Sequence, residues 1–201
     1  MEIKRINTYD DSRFSNHVLM QHGCFLIDDV PYEVEIISNY EAIVKGDNRD
    51  YYLPLIEEFR FYTPHITKFY DENKNIIIEY PKEKIIEIEL KNIQPSQFYV
   101  DKEKLRMIQE FIHEEKDIII QAMPYQDRYI ALDGHTRLFL ATLLGFHKVY
   151  ACMSIVDESI YDFVNEAKRR KIFSPYDLIP LSHEEYENKW NSYCDAYFSS
   201  K

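Results

Sequence analysis

Short apolar runs separated by charged turns fill the first eighty residues. Cys24–Ile27 and residues 32–37 flank Asp28-Asp29-Val30-Pro31, and residues 42–44 follow Asn39-Tyr40, which predicts a small antiparallel meander. From Tyr51 the spacing changes. Leu53, Leu55, Ile56, Phe59 and Phe61 recur at helical intervals, Pro54 is tolerable in a first turn, and Pro64 closes the helix. Residues 66–70 and 76–80 around an Asp-Glu-Asn-Lys-Asn turn predict a hairpin. Pro81-Lys82-Glu83-Lys84 then interrupts the pattern, so a domain boundary is placed there and residues 1–84 are read as a small α+β domain.

Beyond that boundary, residues 85–90 alternate as a strand and Ile93-Gln94-Pro95-Ser96-Gln97 reads as a turn. Asp101 can cap a helix through Leu105, Ile108, Phe111 and Ile112. Residues 118–122 and 128–132 read as strands around a turn at 124–127, residues 138–144 as a short helix ended by Gly145, and residues 148–155 as a returning strand. Residues 85–157 therefore form an α/β domain. Residues 158–201 form a helical extension: Ile160, Phe163, Val164 and Ala167 share one helix face, and Ser174-Pro175-Tyr176-Asp177 is a turn. Ser182 with Glu185 makes a capping box for a last helix whose stripe is Tyr186, Trp190, Tyr193 and Tyr197. The fold class expected is α+β, and the aromatic stripe is expected to pack on the α/β domain.

Composition narrows the function classes. With 201 residues and 45% hydrophobic content the chain can bury one good core or two modest ones. Its net charge of −11 weighs against strong non-specific nucleic-acid binding, which needs a basic face to release counterions. Lys168-Arg169-Arg170-Lys171 is the one basic run, and it reads as a solvated helix end. No apolar stretch is long enough to span a membrane, and Met1-Glu2-Ile3-Lys4-Arg5 lacks the apolar core of a signal peptide, so a cytoplasmic location without membrane contact is expected. Cys24, Cys152 and Cys194 match neither a zinc site nor a disulfide framework, and Cys152 reads as a buried thiol. His17, His22 and His65 are isolated, and His183-Glu184-Glu185-Tyr186 lacks the second histidine of a zinc-protease helix, so no protein metal site is expected.

One turn carries chemistry. Gly134, one of four glycines, joins a strand to the next helix. A glycine there allows positive φ and a close backbone approach, while the first N–H groups of the helix point outward as an anion site. Arg137 in the first helical turn opposes the macrodipole by about 0.3–1 kcal/mol, a penalty that a bound anion would reverse. Its guanidinium can fork onto phosphate oxygens, with the His135 ring and Thr136 hydroxyl beside it. Spacing alone leaves a second reading equally open: Asp133 caps the helix and Arg137 pairs with a surface carboxylate.

This stretch resembles the ParB/sulfiredoxin superfamily over about a third of the chain. Ile93-Gln94-Pro95-Ser96-Gln97 with Lys104-Leu105 resembles its opening motif, and residues 129–137, ending Asp133-Gly134-His135-Thr136-Arg137, its central strand and phosphate turn. Leu140-Ala141, Leu144-Gly145 and the strand from Val149 resemble its closing helix and strand. Sulfiredoxins carry a nucleophilic cysteine directly after the glycine, where this chain has His135, which removes peroxiredoxin repair. Partition proteins carry Gly-Glu-Arg-Arg and continue into a basic DNA-binding domain, for which the residues after Val156 are too few. Kinases of free serine carry Asp-Gly-His-His-Arg, the nearest motif, from which this chain departs at Thr136.

The resemblance implies that Gly134, His135, Thr136 and Arg137 hold the phosphates of a nucleotide (ATP, ADP or CTP) with Mg²⁺. Asp133 and His135 would stand at the reacting atoms, and Glu103 would replace the family's catalytic glutamate, where Ser96-Gln97 now stands. Two expectations follow. One is a phosphotransferase acting on a small hydroxyl-bearing acceptor such as a free amino acid. The other is a non-catalytic, nucleotide-responsive module that contacts protein or DNA.

Overall fold

In the computed structural model, residues 1–8 and 10–199 are described. The chain divides into two units, Met1–Lys84 and Ile85–Lys201. The first contains β1 (Ile3–Arg5), α1 (Asn16–Met20), β2 (Cys24–Ile27), β3 (Val30–Ile36), β4 (Glu41–Lys45), α2 (Tyr52–Tyr62), β5 (Lys68–Asp71) and β6 (Ile76–Glu79). Its strands form a six-stranded sheet in sequence order. Every neighbouring pair is antiparallel except β4 and β5, which α2 connects as a parallel crossover. Alternation decides the faces: Ala42 and Val44 of β4 turn inward with Phe25, Val34 and Phe69 onto Leu55, Ile56 and Phe59 of α2. Phe59 meets Phe25 and Phe69 edge-on, at centroid distances of 6.3 and 6.2 Å. Fully buried side chains of this size stabilise by about 1.5–3 kcal/mol each. The meander, helix and hairpin expected here all form.

The second unit contains β7 (Ile85–Glu89), β8 (Ile93–Pro95), β9 (Tyr99–Asp101), α3 (Lys102–Ile108), β10 (Ile119–Tyr125), β11 (Arg128–Ala131), α4 (His135–Leu143), β12 (Lys148–Met153), α5 (Ile160–Arg169), β13 (Ile179–Leu181), α6 (His183–Tyr186) and α7 (Ser192–Ser199), with a π-helical turn, Glu187–Asn191, between the last two. Five strands make a mixed sheet in the order β7-β12-β10-β11-β8, and β9 pairs with β13 in a separate parallel ribbon. Leu138, Leu140 and Ala141 of α4 enter the core beside Ile120, Ala131, Val149 and Ala151, with Trp190 and Tyr193 packed against it. The expected mixed α+β class is what forms, with helices at the C-terminal end.

Several local readings are corrected. Ile93-Gln94-Pro95 is the edge strand β8 and not a turn. Pro95 is tolerated at the end of an edge strand, where its missing N–H interrupts no ladder. β10 runs on through Pro124 because β12 pairs with it only as far as Ala122; the turn narrows to Gln126-Asp127, with Gln126 at φ +55°. α3 stops at Ile108, since Asp117 accepts from the His113 and Glu114 N–H groups and fixes the next turn. α4 begins three residues early, at His135. Ser182 and Glu185 make the expected capping box, but the helix it starts is interrupted by the π turn. β1, β9 and β13 are three residues each, too short for alternation to reveal. Among the described residues no helix is long and apolar enough to cross a membrane.

Candidate functional site

β11 ends at Ala131, and three residues later the chain reverses into α4 through Gly134, the N-cap, at φ +83° and ψ +20°. That left-handed conformation is open to glycine and strained for side-chain-bearing residues. The space is closed as well. A Cβ at position 134 would lie 2.7 Å from Ile120 Cγ2 and 3.1 Å from Arg137 Nη2. The N-cap glycine brings no side chain of its own to cap the helix. The N–H groups of His135, Thr136 and Arg137 have no intrahelical acceptor by helix geometry, so the first turn presents donors at the positive end of the macrodipole. Thr136 is half-buried on that turn.

Arg137 folds back over Gly134. Its Nη1 donates to the Ile119 carbonyl at 2.5 Å, and its Nη2 lies 3.0 Å from Asp133 Oδ2. The side chain thereby ties α4 to β10 and is offset against the dipole by an adjacent carboxylate. Asp133 is exposed, stands before the N-cap and pairs with Arg137. The alternative pairing with a surface carboxylate is thus realised within the turn itself.

His135 is buried, and its Nε2 accepts from the backbone N–H groups of Ser96 (3.1 Å) and Gln97 (3.2 Å). Two donors on Nε2 put the ring proton on Nδ1. Burial pushes the imidazole down to about 4; Arg137 adds to the shift and Asp133 opposes it. Ser96 Oγ, 3.3 Å from the same nitrogen, donates to the Ala131 carbonyl at 2.7 Å. Its Nε2 is thus engaged by two backbone donors, and His135 bolts the segment after β8 to the first residue of α4.

Glu103 stands apart from the turn. It lies exposed in the first turn of α3, where its N–H bonds the Asp101 carboxylate and its own charge acts on His183. It is not among the groups bonded to the Asp133 to Arg137 turn. Among the described residues no set of three or more His, Cys, Asp or Glu side chains is arranged to hold a metal ion. A Mg²⁺ would come with nucleotide phosphates, and Asp133 is the carboxylate at the turn. The donor set itself, N–H groups and a guanidinium, suits phosphate oxygens.

Besides the bonds of His135 to Ser96 and Gln97, two further contacts were missed at the sequence level. The Ile119 carbonyl under Arg137 has no side-chain signature. The pairing of Asp101 Oδ2 with His183 Nδ1 at 2.7 Å joins residues far apart in the chain, although Asp101 was legible as a cap.

Searches of protein-family models and of curated proteins return no match. Among solved structures, the chain is similar to the protein Atu1540 from Agrobacterium tumefaciens, with 14% identity and a TM-score of 0.35 over 48% of this chain; it spans 62% of that protein's length. It is also similar to the sulfiredoxin from Arabidopsis thaliana, with 14% identity and a TM-score of 0.29, covering 41% of this chain and 97% of that one.

Proposed function

We propose that the turn from Asp133 to Arg137 binds the phosphate groups of a nucleotide at the N-terminus of α4, and that the second unit acts as a nucleotide-responsive binding module. The observation that carries this reading is the first turn of α4, opened by a left-handed Gly134 as N-cap with the Arg137 guanidinium laid against it. N–H donors, the helix dipole and a fixed cation converge there, and each favours an anion.

Binding is favoured over phosphoryl transfer by the state of the neighbouring groups. Ser96 is bonded to Ala131 and His135, the Gln97 amide to Tyr99 and Tyr186, and His135 is buried and neutral. Transfer to a small hydroxyl-bearing acceptor would rest on Asp133 alone, which is already paired with Arg137. The acidic chain also makes DNA a poor partner for this face.

Calorimetric titration of the full chain with ATP, ADP and CTP, each with and without Mg²⁺, tests the proposal. One of them should bind, and Arg137→Ala should weaken it about 10- to 100-fold, the worth of a charge-assisted hydrogen bond. Equal affinity in the folded variant, or no binding by any nucleotide, overturns it. Formation of the phosphorylated acceptor together with a nucleotide one phosphate shorter, on adding serine or another small alcohol, would instead establish the phosphotransferase.

A further inference from the structure

The first residue of α4 is joined to the C-terminal helices by a chain of hydrogen bonds that leaves α4 through a side chain. His135 Nε2 holds the N–H groups of Ser96 and Gln97. The side-chain amide of Gln97 donates onward to the hydroxyl of Tyr186, a buried residue of α6, at 3.2 Å and to the Tyr99 carbonyl. The next residue, Phe98, is fully buried and meets the rings of Trp190 at 4.8 Å and Tyr193 at 5.3 Å. Three residues further, the buried carboxylate of Asp101 caps α3 and bonds His183, the first residue of α6. The segment from Ser96 to Asp101 is therefore gripped by the start of α4 and by the C-terminal helices together. Only three residues of β13 pair with it as backbone.

We infer that the anion site at α4 and the docking of the C-terminal helices, residues 183–199, are energetically coupled through this segment. The inference rests on the nucleotide reading for its ligand. Two states differ in defined contacts. In the docked state Tyr186 holds the Gln97 amide, and the Ser96 and Gln97 N–H groups stay aimed at His135, which fixes the first turn of α4. In the opened state the Gln97 amide loses an acceptor, Phe98 loses its aromatic neighbours, and the bolt on His135 slackens. A phosphate bound to the first turn favours the docked state, and docking favours phosphate by the same factor, because coupling between sites is reciprocal. Removing one neutral hydrogen bond from the path changes that factor by about 2- to 10-fold.

Amide hydrogen exchange on the full chain tests the coupling by perturbing each end and reading the other. Tyr186→Phe keeps the ring and removes the hydroxyl; exchange at residues 138–141 of α4 should speed up by about 2- to 10-fold, with the first unit's strands unchanged. His135→Gln should speed exchange across residues 183–199; should that variant fail to fold, Tyr186→Phe decides alone. Unchanged exchange at the far end overturns the coupling, whatever nucleotides do. Trp190, the chain's one tryptophan, provides the ligand arm. Nucleotide binding measured by calorimetry should shift its emission, and Tyr186→Phe should weaken that binding about 2- to 10-fold. Binding with silent Trp190 and unchanged affinity refutes the coupling and leaves the nucleotide reading standing. Absence of any binding refutes the nucleotide reading, and the exchange result then decides the coupling by itself.

Discussion

Replacing Gly134 by alanine separates two costs that a glycine substitution usually confounds. The residue sits at φ +83°, where a side chain costs about 1–2 kcal/mol from backbone strain alone. The new Cβ would also stand 2.7 Å from Ile120 Cγ2, a buried branched side chain near the start of β10, and 3.1 Å from Arg137 Nη2. Forcing a methyl into such a site adds about 1–3 kcal/mol. The sum is roughly 2–5 kcal/mol. Gly145 is the internal control: at φ +72°, a Cβ there meets nothing within 4 Å, so Gly145→Ala carries the strain cost only. Urea denaturation followed by Trp190 emission reads the second unit selectively, since that residue packs on its core. Gly134→Ala should therefore lose about 1–3 kcal/mol more than Gly145→Ala, and the excess should shrink when Gly134→Ala is measured in an Ile120→Ala background, which lacks the clashing Cγ2. Equal losses for the two glycines would refute the claim that the turn is sterically closed.

Other substitutions test the remaining contacts. Arg137→Ala should destabilise the second unit by about 1.5–3 kcal/mol through loss of the Ile119 carbonyl bond, while Asp133→Asn should cost under about 1 kcal/mol because that ion pair is solvent-exposed; both are read from denaturation midpoints. His135 and His183 should give opposite pH dependences. The folded value of His135 is depressed to about 4, so the unfolded chain takes up its proton first. Stability should be whole above pH 6.5 and fall as pH drops toward 4, a slope absent in His135→Gln. His183 is raised by its bond to Asp101, so its contribution is present below about pH 6.5 and lost as pH rises through the folded value. His183→Gln should flatten that upper limb of the stability profile. Ser182→Ala should cost about 0.5–2 kcal/mol by removing the capping box at α6.

The parts of this fold legible in the sequence are those governed by local periodicity. The α2 stripe of Leu55, Ile56 and Phe59 and the alternation of Ala42 and Val44 announce their own faces, so those elements of the first unit could be read, while the short β1 and α1 before Cys24 could not. The second unit was less transparent where tertiary pairing overrides local signals. Ile93-Gln94-Pro95 looks like a turn until β11 supplies a partner, and β9 and β13 exist only because each finds the other. At the site, the strand–glycine–helix arrangement followed from one glycine and its neighbours. What could not follow was the use of each side chain: His135 reads as a titratable group but spends its accepting nitrogen on Ser96 and Gln97, and Arg137 finds a backbone carbonyl that no residue type advertises.

The strand order of the second sheet has a consequence for the chain as it leaves the ribosome. β7 is the first strand of that sheet to be made, yet its neighbour is β12, the last. Residues 85–89 must wait until Met153 has emerged, 64 residues after Glu89. At about 5–20 residues per second this is on the order of 3–13 s of nascent life with an unsatisfied edge. The sequence Ile-Ile-Glu-Ile-Glu carries its own protection during that interval, since Glu87 and Glu89 place negative charge along a strand that would otherwise recruit a neighbouring polysome's copy. Lys148 later neutralises Glu87 at 2.6 Å, so the guard against aggregation becomes a cross-strand ion pair when synthesis of the sheet is complete.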